Sequence, residues 1–108
     1  MSGGSFRREM DRGMARMMEQ MHAPGYSGAP DVDFLAMMIP HHQGAVEMAR
    51  LELIHGSDAA TRRLAEDIIA SQQVEIEGML RRLAQLRGEG GGESPEGFPA
   101  LGGTRGRK

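Results

Sequence analysis

Asp31-Val-Asp-Phe-Leu-Ala-Met-Met-Ile-Pro-His-His-Gln-Gly-Ala-Val-Glu-Met-Ala49 decides the fold, because its apolar residues recur at helical spacing while its middle breaks the rules of a helix interior. At about 100° per residue, Leu35, Met38, Ile39, His42, Val46, Ala49 and Leu53 fall within one stripe, with His42 near its middle. Phe34, His41, Ala45 and Met48 make the flank beside it; Met38 lies between the two imidazoles' faces and Met37 further round. Pro40 removes one backbone hydrogen bond and crowds the carbonyl of Ala36, which predicts a kink and a freed carbonyl beside the histidines. A helix breaker next to two polar residues on a core face is a local inconsistency of the kind that marks functional sites.

Outward from this segment the chain reads as three helices and a tail. The first helix spans about Phe6 to Met21 and stops where His22-Ala-Pro24-Gly25 breaks it. Asp31 or Asp33 offers an N-cap for the second, which runs to His55, with Gly56 as its C′ residue. Ser57 or Asp58 caps the third, which reaches about Arg87. Residues 88–108 hold eight glycines and two prolines and read as a flexible tail; residues 1–5 are small and polar and read as disordered. No period-2 alternation of β-branched residues is present. The expectation is therefore all-α: one helical domain over residues 6–87, an antiparallel bundle with three helices per chain. About 80 residues make a small core, so completion by a second copy, as a homodimer, is expected.

Composition narrows the function. A net charge of -2 provides no field for nucleic acid, and no apolar run approaches the roughly 20 residues that span a bilayer. The first residues lack the apolar stretch of a signal peptide. There are 10 Met and no Cys in 108 residues, so soft-metal chemistry here must use thioethers with imidazole. The absence of Cys also excludes disulfides and suits an oxidising compartment. Phe6, Met10, Met14, Met17 and Met21 follow helical spacing, which makes the apolar face of the first helix almost entirely methionine, with Met18 at its edge. On the third helix, Leu64, Ala65, Ile68, Ile76, Met79, Leu83 and Leu86 form a stripe that Gln72 and Glu75 interrupt. An amide and a carboxylate facing a core need partners, and an imidazole N–H from the second helix is the candidate.

Two segments carry a family resemblance: the one quoted above, and Leu64-Ala-Glu-Asp-Ile-Ile-Ala-Ser-Gln-Gln-Val-Glu-Ile-Glu-Gly-Met79. Together they resemble the DUF305 family, some of whose members, the CopM-like ones, bind copper; the likeness covers about Met14 to Leu86. It implies a ferritin-like helical bundle, usually exported to an extracytoplasmic compartment, with a role in copper binding or tolerance. This chain shows no leader, which keeps a cytoplasmic location as the alternative.

Ligand softness points the same way. Cu(I) accepts two to four thioether or imidazole ligands and needs no carboxylate. The expected ligand pool is His41, His42, Met38 and Met48 from the second helix with Met14, Met17 and Met21 from the first. Gln72, Glu75 and Met37 are supporting or alternative ligands. Cu(II) favours His41, His42 and an oxygen from Glu75 or Glu47. The function expected is copper sequestration, transfer or tolerance, with a copper donor or acceptor protein as partner and no catalytic residues. The alternative is a methionine-rich helical interaction module without metal. His22 reads as a solvated loop residue. Glu52-Leu-Ile-His55 has the Glu-x-x-His spacing of carboxylate-bridged di-metal enzymes. Its phase, about 100° and 160° from the stripe, and the position of His55 in the last turn argue against that use.

Overall fold

The computed structural model describes residues 2–88, and all secondary structure among them is helical. Helix α1 spans Ser2–His22, α2 spans Pro30–His55 and α3 spans Ala59–Leu86. The expectations for the tail beyond Gly88 lie outside the described residues. No helix is long and apolar enough to cross a membrane.

The boundaries correct the sequence reading at three places. Residues 2–5, expected to be disordered, form the first turn of α1. This end is tied down: Ser5 Oγ donates to Glu9 at 3.4 Å, Glu9 pairs with His55 at 3.2 Å, and the Phe6 ring meets the His55 ring edge-on at 5.6 Å. Neither Asp31 nor Asp33 is the N-cap of α2. That place falls to Ala29, which makes no side-chain cap bond, and Pro30 opens the helix where its missing N–H costs nothing. Asp33 instead folds back to accept from Ser27 N and Oγ at 2.9 and 2.7 Å, holding the loop that Gly25 and Gly28 turn with positive φ. Gly56 ends α2 in extended backbone, φ −81°, so no left-handed cap forms. The terminal carbonyls of α2 go to the Arg62 guanidinium, which donates to Leu53 O and, at 3.1 Å, to Gly56 O. Asp58 caps α3 as expected, accepting from Thr61 N at 2.9 Å and Oγ1 at 2.6 Å.

α2 is the centre of the molecule. It packs against α1 on one side and α3 on the other, while α1 and α3 do not meet among the described residues. One buried stripe of α2, Leu35, Ile39, Val46 and Ala49, faces α3, where Leu83 joins Leu35 and Ile39 and Val32 and Met79 pack around them. A second, which the single-stripe reading missed, includes Gly44 and Leu51 and meets Met17 of α1. The arrangement is thus a single layer of three antiparallel helices. Burial is correspondingly shallow, with no side chain among the described residues wholly enclosed. α2 continues through Pro40, which is buried.

Candidate functional site

His42 occupies the α2–α3 contact. Its Nδ1 lies 3.1 Å from the carbonyl oxygen of Met38, one turn back, and its Nε2 lies 2.7 Å from Glu75 Oε1 on α3. The partner expected for Glu75 is therefore present, and both ring nitrogens face acceptors. The carbonyl engaged is that of Met38, whereas the one deprived of a donor by Pro40 belongs to Ala36. A metal approaching Nε2 must displace Glu75 or share it. The His42 side chain is 12% exposed and that of Glu75 56%, so the pair is open to water on the carboxylate side.

His41 is exposed, its ring centroid 6.0 Å from that of His42 and tilted by 58°. The two imidazoles are adjacent in chain yet serve different surroundings: one is held against α3, the other projects from the layer. Gln72, half-buried a turn before Glu75, has an Oε1 that is shielded from solvent with no partner among the described residues. The amide thus lacks the imidazole contact expected of it.

The thioethers gather at the other contact. Met10, Met14 and Met17 of α1 and Met48 of α2 line one site together with Gly13, Gly44, Glu47 and Leu51. Gly44 permits it: a Cβ there would stand 2.3 Å from Met17 Sδ and 3.3 Å from Met17 Cβ, so the helices approach over a bare backbone. Met17 is buried by this contact, Met10 and Met48 are half-buried, and Met14 is 43% exposed. Of the expected ligands, Met14, Met17 and Met48 are thus assembled, and Met10, which shared their periodicity, belongs with them. Met21, Met37 and Met38 are half-buried on the same two helices but do not line that site. Arg16 pairs with Glu47 at the exposed rim of the α1–α2 contact.

Among the described residues, no three His, Asp or Glu side chains converge as a metal-holding group. Glu52 and His55 illustrate why. The Glu52 carboxylate lies over Gly56, where an added Cβ would meet it, whereas His55 turns to Glu9 and Phe6 of α1. Glu9 is held below its ordinary pKa chiefly by the hydrogen bond with His55, against the opposing effect of burial. His22 ends α1 and is exposed.

A groove of about 390 Å³ runs between α1 and α3 over α2, walled by Phe6 and Met10 on one side and by Leu64 and Ile68 on the other. Ala45, Met48 and Ala49 form its floor. Toward the other end of α2, Phe34, Arg82 and Leu86 border a second opening of about 310 Å³. By helical phase, both openings and the His41, Glu75 positions between them lie on the same face of the layer.

Residues 2–83 match a family described as "Domain of unknown function (DUF305)". No curated protein matches the chain.

Proposed function

This chain belongs to the DUF305 family, and we propose that it is a copper-binding protein that holds Cu(I) on the thioethers between α1 and α2, for sequestration, transfer or tolerance. The observation that carries the reading is the gathering of Met10, Met14, Met17 and Met48 around one contact. Thioethers bind Cu(I) without losing a proton, so a site of this kind keeps its ligands in acid where imidazole is protonated. Met17 is the packing member, seated on Gly44, and Met10, Met14 and Met48 are the donors that a single chain leaves incompletely buried. His41, exposed on α2 although not lining that contact, is the imidazole with no hydrogen bond to break, whereas His42 must first leave Glu75. The role is binding, with metal as cargo and a donor or acceptor protein as partner.

Anaerobic titration with Cu(I) against a competing chelator tests this. Met10→Leu/Met14→Leu/Met48→Leu keeps side-chain volume while deleting the accessible sulfurs. Its affinity is expected to fall at least tenfold with helicity unchanged, and His41→Ala to produce a smaller loss. Equal affinity in the triple variant, the His41→Ala/His42→Ala variant and the parent would remove the proposal.

A second reading, a helical interaction module whose methionines serve contact alone, draws support from the open apolar groove. It requires that the triple leucine variant keep its partner binding while the parent shows no chelator-resistant copper.

A further inference from the structure

The two faces of the three-helix layer differ in how much apolar surface they expose. On the groove face stand Met14, Met18, Phe34, Leu64 and Leu86, which are 43%, 47%, 60%, 59% and 39% exposed. On the opposite face the corresponding positions are Gln43, Arg50 and Ile54 of α2, Glu9, Arg16 and Gln20 of α1, and Leu80 of α3, which is 47% exposed; Asp31, Glu52 and Arg82 border the openings of the groove face. A single layer leaves the apolar side of three helices uncovered, and a layer architecture becomes stable when a second layer closes over it.

We propose that a second copy of this chain covers the groove face, giving a two-layer assembly of six helices with His41 at its symmetry axis. The area fits. α2 has 26 residues, so the face is about 39 Å long, and helix axes about 9 Å apart on either side of α2 make it about 18 Å wide. The product, about 700 Å² per partner, is close to the roughly 800 Å² each chain contributes to a standard stable interface.

Symmetry locates the centre. Two layers packed face to face are related by a two-fold axis lying in the plane between them. When they overlap fully, the axis crosses the middle of the face, above residues 42 and 43 of α2. A residue that lies on the axis faces its own copy, and the exposed residue of α2 nearest the middle is the best placed to do so. That residue is His41, exposed and one turn before Ala45 on the groove floor. The imidazole of one protomer therefore stands opposite the partner subunit's His41. This follows from the shape of the layer and does not depend on metal.

The chain has no cysteine, so single-cysteine variants report the geometry directly. Full-length protein in chelator-treated buffer is measured by sedimentation velocity, and His41→Cys and Arg50→Cys are each exposed to oxidised glutathione. The expected result is a dimer in which His41→Cys cross-links while Arg50→Cys does not, since a disulfide needs two Cα atoms within about 7 Å and only the groove face meets its copy. Leu64→Glu and Phe34→Glu, both solvent-facing in one chain, weaken the dimer at least tenfold with helicity retained; Ile54→Glu, 69% exposed on the opposite face, leaves it unchanged. A monomer at 100 micromolar overturns the proposal. So does a dimer that cross-links through Arg50→Cys, or one that appears only after removal of residues 89–108, which would assign the face to the chain's own C-terminal segment. Copper affinity is read separately, so a monomer that still binds Cu(I) on its thioethers defeats only the dimer.

Discussion

The two contacts of α2 make the same connection with different materials. Toward α3 it presents Leu35, Ile39, Val46 and Ala49 to an aliphatic partner, interrupted by one polar pair, His42 with Glu75. Toward α1 it presents Gly44 and Met48 to a row of methionines. Branched side chains with few rotamers specify one packing, whereas thioethers on unbranched chains accommodate several. The comparison indicates that α2–α3 is the structural hairpin and that α1 is held by a more adaptable surface.

The largest break in this asymmetry is expected from Leu83→Ala. It opens the cluster of Leu35, Ile39 and Leu83, and a loss of about 2–3 kcal/mol in urea unfolding is anticipated, the low end for a buried leucine because the site borders solvent. Gly44→Val acts on the other contact. Its branched side chain strikes Met17, so the expected cost is about 1–3 kcal/mol, and Met17→Ala in the same chain recovers part of it in a double-mutant cycle. An additive pair of effects would mean that the two residues do not share the contact.

Acid sharpens the comparison further. Glu9, which ties α1 to His55, is depressed chiefly by that hydrogen bond, and Asp58, which caps α3, chiefly by the Thr61 hydroxyl. Asp33 is depressed by its bonds from Ser27, the backbone one first. A carboxyl whose folded pKa is lowered adds stability above its ordinary value, and that stability disappears as pH falls through the folded value. Ordinary values are 4.5 for Glu9 and 3.8 for Asp33 and Asp58, so the loss begins at higher pH on the α1 side. Amide exchange followed from pH 6 to pH 3 should show protection falling first in the opening turns of α1. Glu9→Gln flattens that early part of the profile; an unchanged profile would mean that the His55 contact does not hold α1. The smallest effect belongs to Arg16→Ala. Its ion pair with Glu47 joins side chains 45% and 42% exposed, and the stability change expected from thermal unfolding is below about 1 kcal/mol.

Much of this was legible in the chain. Three helices and their connections follow from Pro24, Gly25, Gly28, Pro30 and the Gly56-Ser57-Asp58 break, because these residues restrict the backbone locally wherever they stand. The α3-facing stripe of α2 and the meeting of an imidazole with Glu75 also follow from periodicity. The second stripe was harder to see: Gly44 contributes no hydrophobicity, so a pattern built on apolar side chains passes over the residue that sets the closest approach to α1. A glycine inside a helical run was the available signal. Capping escaped for a related reason, since Asp33 had two local acceptor roles open to it and the Ser27 loop took the one that the helix did not need once Pro30 opened it.

By itself, the sequence determined the three helices, the methionine face of α1, the absence of cysteine and membership in the DUF305 family, all of which depend on residue identity and spacing along a chain. Only the tertiary structure decided that α1 and α3 take opposite sides of α2. That placement assigns His42 to Glu75, separates it from the thioethers gathered at Gly44, and leaves His41 on an open apolar face. The reason is geometric: helical phase fixes which residues share a side, but which neighbouring helix occupies that side depends on how closely two backbones can approach, and here a single missing Cβ sets that distance.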